Sequence, residues 1–264
     1  MQTQELNLVS QFEDFTNEQD FKIPTIPQNT LKLLDLLNSP NSSTEEIEQV
    51  VSLDPAIAGE ILKVSNSALY GSRIEVTSIK LAITRLGRRK LRTILFAISI
   101  KISFIKDQAY RKQLTRIWEK SLFCAFVCST LAKKSKKDEE EYFLVGLMHN
   151  IGQLVIVSAL QNFCEKIQSD FCIEEDLLEM LFAAHEHKLG KRLLNIWKIP
   201  EKTINVIMSQ NEDSEETYIL KIALSLYEED EEATVEYLNV LNFEDVDYWL
   251  QIAAKTKQEV SSIF

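Results

Sequence analysis

The chain has 264 residues, a formal net charge of -11, and a composition that is 45% hydrophobic and 26% charged. That length suffices for one large domain or two small ones with a sizeable core. Its acidic balance disfavours nucleic acid and anionic lipid as default partners of the whole molecule. With only six glycines and five prolines, turns are few, so the composition predicts long helices joined by short loops.

The N-terminus and the cysteines predict a reducing, cytoplasmic location. The opening stretch "MQTQELNLVSQFEDF" lacks a basic segment followed by an apolar run, so it does not resemble a signal peptide. No fully apolar run reaches 18 residues. Cysteines occur at Cys124, Cys128, Cys164 and Cys172, with no CxxC pair, so we expect reduced, buried thiols and not a zinc site.

The N-terminal part of the chain is predicted to be an arm followed by short helices. Residues 1–22 are expected to form an arm or a short helix. The stretch "IPTIP" at 23–27 interrupts regular structure, because each proline disfavours the helical conformation of the residue before it. Leucines then recur at helical spacing over 31–37. Ser42 and Ser43 are each followed three residues later by glutamate, so either serine fits a capping box.

Helix start and stop signals continue through the next fifty residues. Asp54-Pro55 is typical of a helix N-terminus, with aspartate as N-cap and proline in the first turn. "NSALYG" at 66–71 ends that helix, and Ser78 is suited to cap a helix that runs to Gly87. Glycine permits the positive φ that a break requires. A longer helix is predicted over about 88–104.

The remaining residues are also predicted to be helical. No stretch alternates between apolar and polar residues for long, so we predict an all-α fold. A seam is expected near 106–112, and the composition becomes strongly acidic after Gln210. The predicted helices cover approximately 111–134, 142–160, 162–169, 174–194, 200–210, 216–228, 231–240 and 244–260.

Six stretches occur in the order typical of one family. "IPTIPQNTLKLLDLL", "VVSLDPAIAGEILKVSNSALYG" and "VTSIKLAITRLGRRKLRTILFAISI" resemble the HDOD family, the HD-related output domains of bacterial signalling proteins, and so do "RIWEKSLFCAFVCSTLAKK", "FLVGLMHNIGQLVI" and "HKLGKRLLNIWKIPEKTI". The resemblance implies an all-helical fold in which an N-terminal lobe packs on a lobe related to HD phosphohydrolases. We therefore divide the chain into an arm (1–22), an N-terminal lobe (23–108), an HD-like lobe (109–210) and an acidic C-terminal helical extension (211–264).

The resemblance also implies where a metal site would lie. HD phosphohydrolases bind divalent cations through a histidine, a His-Asp pair and a distant aspartate, and the metal activates water. Here the first position matches Lys120, whose ammonium has no lone pair. The pair is His149-Asn150, so an amide replaces the carboxylate, and a downstream family histidine matches Glu186. We therefore predict no metal, no cofactor and no catalytic residue, and we expect Lys120 to pair with Glu186 or another acid in the vacated pocket.

A residual metal-dependent phosphohydrolase is the alternative interpretation of these residues. It would act on a nucleotide and use His149 with Glu186, His185 or His187. The last two histidines are two residues apart, so on a helix they point about 200° apart and cannot easily bind one ion. The paired histidines of active relatives would fall near "MSQNE" at 208–212, which contains none.

Candidate partner-binding residues form two groups. The first belongs to the "NSALYG" stretch and consists of Asn66, Ser67 and Tyr70. The second belongs to the basic stretch "RLGRRKLR" and consists of Arg85, Arg88, Arg89 and Arg92. The simpler interpretation of the first group is a helix end, and that of the second is ion pairing with the acidic C-terminal segment. Nucleic-acid binding is a further alternative for the arginines, and it would depend strongly on salt.

Together these features predict a stand-alone, cytoplasmic regulatory protein without hydrolase activity. Its two lobes are expected to form a groove for a signalling protein or a small effector, and binding would shift their relative orientation. Because related output domains are often joined to receiver or cyclase modules and none is visible here, we expect the partner to act in trans. No membrane association is expected, and the sequence does not indicate an oligomeric state.

Overall fold

The computed structural model describes residues 2–18, 21, 23–70, 75–105, 110–167 and 175–263. Within these ranges it contains α-helices and one 3-10 turn (Ala68–Tyr70) but no strand, which confirms the all-α prediction. The helices are α1 (Gln2–Asn17), α2 (Gln28–Asn38), α3 (Thr44–Ser52), α4 (Pro55–Ser65), α5 (Ile79–Phe104), α6 (Arg111–Lys134), α7 (Glu139–Met148), α8 (Ile151–Lys166), α9 (Glu175–Ile196), α10 (Glu201–Met208), α11 (Glu215–Glu228), α12 (Glu231–Val240) and α13 (Val246–Ile263).

Local capping chemistry explains most helix starts in the N-terminal half. Ser43, and not Ser42, forms the capping box of α3: its hydroxyl accepts a hydrogen bond from the Glu46 amide at 3.1 Å. Asp54 accepts hydrogen bonds from two amides in the first turn of α4, and Ser78 caps α5. These three starts are confirmed because each depends on side chains within three residues of the cap.

Gly87 bends α5, as predicted. Its φ of 74° and ψ of 161° are not helical, so α5 consists of two straight segments that meet at this residue. The other end of the "NSALYG" loop, Gly71, lies outside the described residues, and so does the 106–109 part of the predicted seam.

The prediction of a single helix over 142–160 is wrong. The chain leaves helical geometry at Asn150, with φ -116° and ψ 21°, and the break separates α7 from α8. Hydropathy hides this break because the segment Glu139–Lys166 is apolar enough to pass a membrane-span test by length and composition. Its most apolar window is 83% buried in the fold, as expected for core helices of a globular protein. The helix predicted over 162–169 is the end of α8, and 168–169 lies outside the described residues.

Two groups of buried apolar side chains form the core. The first lies between Leu33 and Ile98 and is built from α2, α3, α4 and most of α5. The second contains the C-terminal part of α5, all of the helices from α6 onward, and Phe12 from α1. Helix α5 therefore contributes to both cores and connects them. The acidic extension is part of the second core, because Trp249 and Val260 of α13 are almost fully buried there.

The C-terminal helix also reaches the N-terminal lobe. A carboxylate oxygen of Glu259 in α13 accepts a hydrogen bond from the Ala68 amide at 3.0 Å. This amide belongs to the 3-10 turn of the "NSALYG" stretch, 191 residues earlier in the chain. The acidic extension therefore touches both lobes.

The cysteines lie where apolar side chains are expected. Cys124 and Cys128 are free and buried in α6, and Cys164 is partly buried at the end of α8. Burial raises the pKa of the Cys124 thiol to about 12, so this thiol is protonated and unreactive at neutral pH. Cys172 lies outside the described residues.

Candidate functional site at the His149 helix break

A small cavity lies where the family's metal-binding positions were expected to converge. Its volume is about 10 Å³, which is room for roughly one water molecule. It is lined by Met148, His149, Ile151, Gly152, Glu186, His187, Gly190, Met208 and Gln210. Of the positions aligned by the family resemblance, His149, Glu186 and two residues of the 208–212 stretch therefore meet at this cavity, whereas Lys120 and Asn150 are not part of its lining.

Close helix crossings on both sides of His149 keep this cavity small. A Cβ on Gly146 would lie 2.4 Å from the Cys124 carbonyl oxygen of α6, and a Cβ on Gly152 would lie 2.1 Å from the Glu186 carbonyl oxygen of α9. Both distances are shorter than van der Waals contact, so only glycine permits the crossings. The sequence analysis missed this role. The available signal was that four of the six glycines, including Gly146, Gly152 and Gly190, fall within otherwise regular helical stretches.

His149 is held in one tautomer. Its Nδ1 lies 2.7 Å from the Gly146 carbonyl oxygen, which can only accept, so Nδ1 carries the proton and Nε2 has a lone pair. Nε2 is buried without a hydrogen-bond partner among the described residues. Burial, together with the nearby charge of Lys120, lowers the pKa of His149 to about 4 although the hydrogen bond to Gly146 opposes this shift, so the ring is neutral at neutral pH.

Asn150 connects the beginning of α8 to α6. Its Oδ1 accepts a hydrogen bond from the Ser121 hydroxyl at 2.6 Å, and its Nδ2 donates to the Ile117 carbonyl oxygen at 3.2 Å. The residue is only 2% exposed. An aspartate in this position could accept from Ser121 but, when ionised, could not donate to Ile117. The amide therefore suits a structural link between helices, a function that a metal-binding carboxylate could not fulfil.

Lys120 pairs with the acidic extension and not with Glu186. Its Nζ lies 2.7 Å from Oε1 of Glu228 at the end of α11, and 5.5 Å from the centroid of the Tyr227 ring. Glu186 instead accepts a hydrogen bond from the Gln153 amide at 3.0 Å. Burial raises the pKa of Glu186, although the Gln153 hydrogen bond opposes that shift.

The two histidines of α9 point in different directions, as their spacing predicts. His187 lines the cavity, whereas His185 is buried on the other side of the helix. The Nε2 of His185 lies 3.1 Å from the Val9 carbonyl oxygen of α1, and its ring is 5.6 Å from that of Phe12. His185 therefore helps to dock the N-terminal helix.

The donor set at this cavity does not fit a divalent-metal centre. Such a centre needs several imidazole and carboxylate ligands around one point. In the described part of the chain, no group of three or more His, Cys, Asp or Glu side chains is placed to hold an ion. The Asn150 amide is committed to α6, and the ammonium of Lys120 is close enough to lower the pKa of His149.

The "NSALYG" residues have structural contacts. The Asn66 side chain donates to the Val76 carbonyl oxygen at 2.9 Å and accepts from the Val76 amide at 2.7 Å, so it closes the loop before α5. The Ser67 hydroxyl donates to the carbonyl oxygen of Val64 at 2.8 Å. Tyr70 packs edge-on against Phe126 of α6, with ring centroids 5.8 Å apart. These contacts agree with the simpler interpretation of this group as a helix end.

Two of the four arginines bind the end of α2. Arg88 donates to the Ser39 carbonyl oxygen at 2.9 Å, and Arg92 donates to Oδ1 of Asn38 at 2.6 Å. Arg85, like Arg88 and Arg92, belongs to α5, and it is partly buried. The acceptors of Arg88 and Arg92 are uncharged, so the hydrogen bonds orient these guanidinium groups without neutralising them.

Arg89 connects the lobes. It lies 2.7 Å from a carboxylate oxygen of Asp138 and 2.8 Å from one of Glu140, at the beginning of α7. Asp138 and Arg89 each shift the pKa of the other group towards its charged form. The expected pairing of these arginines with the acidic C-terminal segment is wrong for Arg89, since its partners precede that segment by about 70 residues.

Residues 23–213, most of the chain, match the family model of the HDOD domain. An uncharacterized protein of Treponema pallidum (strain Nichols) is 27% identical over 213 residues. The match covers 78% of this chain and 40% of that protein, so the chain spans less than half of the relative's length.

Solved structures share the fold. A protein of Shewanella amazonensis SB2B, whose name assigns it provisionally to the metal-dependent phosphohydrolases, superimposes with a TM-score of 0.78 at 19% identity, covering 98% of this chain and 99% of that one. A provisionally named signal transduction protein of Marinobacter aquaeolei VT8 gives a TM-score of 0.67 at 18% identity, covering 98% and 65%. At these identities the likeness shows the fold, and it confirms the predicted HD-like helical architecture.

Proposed function

The chain belongs to the HDOD family, and from that premise we propose that it is a catalytically inactive, cytoplasmic regulatory protein that binds a signalling protein or a small effector. One observation carries the proposal. The family resemblance implies a metal-binding aspartate at position 150. Here the residue is Asn150, and both ends of its amide are hydrogen-bonded, to Ser121 and to Ile117. Without a carboxylate there, the site has too few anionic ligands to hold the cation that would activate water.

The arrangement of the two cores supports a regulatory mechanism. Helix α5 contributes to both cores and bends at Gly87, while Arg89 joins the N-terminal lobe to the start of α7 by ion pairs. A ligand that contacts both lobes and binds more tightly to one of their relative orientations would increase the population of that orientation. A partner that recognises the lobes in one orientation would then respond to the ligand.

Two measurements test this proposal. The purified protein, supplied with manganese or magnesium, should hydrolyse bis(p-nitrophenyl) phosphate no faster than a His149→Ala variant. The immobilised wild-type chain should retain a signalling protein from a lysate of its native cell. Hydrolysis that disappears in the His149→Ala variant would contradict the inactive assignment, and the absence of any retained protein or effector would contradict the binding assignment.

A residual metal-dependent phosphohydrolase is the second candidate, and one observation favours it. The Nε2 lone pair of His149 is unpaired among the described residues and belongs to a ring whose Nδ1–H is held by a backbone carbonyl. This is the arrangement of many metal-binding histidines. Metal analysis of the purified protein distinguishes the candidates: a stoichiometric ion that is lost in the His149→Ala variant would support the phosphohydrolase.

A further inference from the structure

A second and much larger cavity lies between the two lobes. Its volume is about 440 Å³, within the range of roughly 300–1,000 Å³ that is typical of small-molecule sites. It is bounded by α4, by the C-terminal end of α5 and by the first two turns of α6. Ile102 and Trp118 provide apolar wall, while Glu60, Lys101 and Arg111 provide charge. Trp118 belongs to the second core, and α4 belongs to the first, so the cavity spans both.

Gly59 lines this cavity, and no close contact with another described helix requires glycine at this position. It lies inside α4, where glycine is less favourable than alanine by up to about 1 kcal/mol. Apart from its chain neighbours and the backbone of its own helix, no atom of the described residues lies within 4 Å of the point that a Cβ would occupy. Gly146 and Gly152, by contrast, are required for backbone contact between helices. The consequence of glycine at position 59 is that the wall of the cavity stays open.

Glu60 provides an unsatisfied acceptor at the same cavity. One carboxylate oxygen pairs with Lys101 Nζ at 3.2 Å, with both side chains about one-quarter exposed or less. The other oxygen, Oε2, is buried and has no hydrogen-bond partner among the described residues. A buried acceptor of this kind costs free energy until a donor reaches it. Among the described residues, the lining includes one carboxylate and two cations, a balance of +1 that favours an anion.

We propose that the cavity between α4, α5 and α6 binds a small organic molecule that carries an N–H donor, an anionic group and an apolar or aromatic portion. The N–H group would donate to Oε2 of Glu60, and the anionic group would lie against Arg111. The apolar portion would contact Trp118 and Ile102. This inference rests on the proposed regulatory function and identifies the chemistry of the effector. Free amino acids and nucleoside 5′-monophosphates both have this chemistry.

The experiment tests free amino acids and nucleoside 5′-monophosphates in separate arms. The full chain is titrated with the twenty amino acids individually and with the four common nucleoside 5′-monophosphates, and binding is followed by isothermal calorimetry and by the melting temperature. We expect one compound to bind with 1:1 stoichiometry. Gly59→Leu fills the cavity and Glu60→Gln replaces one carboxylate oxygen by an amide. Each should weaken that binding at least tenfold. Glu45→Gln makes the same carboxylate-to-amide change at an exposed position of α3, and Gln49→Leu introduces a leucine at another; both should leave the affinity unchanged.

Two results would overturn the proposal. One is that no compound from either arm binds the wild-type chain. The other is that a compound binds equally well to Gly59→Leu and Glu60→Gln, with circular dichroism confirming that both variants are folded. These results are separable from failure of the proposed function. Retention of a signalling protein without compound binding rejects only the cavity, whereas hydrolysis that depends on His149 rejects the regulatory assignment whatever the cavity binds.

Discussion

The Ser121 hydroxyl lies 2.6 Å from Oδ1 of Asn150, inside a core from which solvent is excluded. This contact joins the middle of α6 to the break between α7 and α8. Because the same amide also donates to the Ile117 carbonyl oxygen, its two ends are both used. A group that resembles a lost metal ligand in the sequence is therefore a hydrogen-bonded part of the core.

Asn150→Asp should destabilise the fold, and the loss should grow with pH. The new carboxyl would be buried next to a carbonyl oxygen, so its pKa in the folded state would be raised above the ordinary value of about 4. The folded state would then hold a proton that the unfolded state releases, and stability falls as pH rises above that value. We expect a loss of about 2–4 kcal/mol at pH 8 and less at pH 5, measured by urea unfolding. The exposed Asn205→Asp is the control, and an equal loss at both pH values would contradict the argument.

The buried His149 should make the protein less stable in acid. Its pKa is about 4 in the folded state against an ordinary value of 6.5, so the unfolded chain binds the proton more readily between these values. Stability is therefore fully present above about pH 6.5 and declines as pH falls towards 4, by about 3 kcal/mol. In His149→Leu, the free energy of unfolding, measured with urea, should fall less steeply as pH decreases across this range. A slope that is the same in the wild type and in His149→Leu would count against the assignment.

Two glycine-to-alanine substitutions should have opposite effects. Gly152→Ala places a methyl group about 2 Å from the Glu186 carbonyl oxygen, so α8 and α9 must separate, at a cost of about 3 kcal/mol or more. The methyl group of Gly59→Ala lies within 4 Å of no atom of another described helix, so this variant should stabilise α4 by up to about 1 kcal/mol. Thermal unfolding of both variants and the wild type should show a lower melting temperature for Gly152→Ala and a higher one for Gly59→Ala. Similar melting temperatures for the two variants would refute the described crossing of α8 and α9.

Lys120→Ala should destabilise the fold slightly. The ion pair with Glu228 joins α6 to the end of α11, but Glu228 is more than half exposed, so solvent screening limits the loss to about 0.5–1 kcal/mol. A double-mutant cycle with Glu228→Gln isolates the contribution of the pair. Loss of the ammonium should also raise the pKa of His149, which Lys120 lowers. An unchanged melting temperature together with zero coupling energy would show that the pair contributes nothing.

Features determined by near neighbours were predictable from the sequence, and features determined by distant ones were not. The starts of α3 and α4 and the bend at Gly87 depend on residues within three positions, and all were predicted. The break at Asn150 depends on Ser121, 29 residues earlier, in a segment whose hydropathy is continuous. Lys120 was expected to meet an acid, but its partner is 108 residues away, and no local pattern identifies it.

The candidate site was located through family resemblance more than through periodicity. His149, Glu186 and the residues after α10 meet at one cavity because aligned positions of a shared fold keep their places in space. The size of that cavity was not predictable, since it is determined by backbone contacts at Gly146 and Gly152 that leave no periodic signal. The larger cavity at Gly59 and Glu60 was missed for a related reason: its lining is spread over three successive helices, from Pro55 to Trp118, and depends on how they pack.

The tight crossings at Gly146 and Gly152 also limit how the molecule can move. Helices α6, α7, α8 and α9 touch backbone to backbone at these points, so sliding one past another would require atoms to overlap. Densely packed elements of this kind move as a unit, and displacement is confined to boundaries with looser contact. Rotation of this half about the C-terminal part of α5, where the two cores meet, would then act as a lever, turning a small displacement near Glu60 into a larger one at the far surface of the acidic extension.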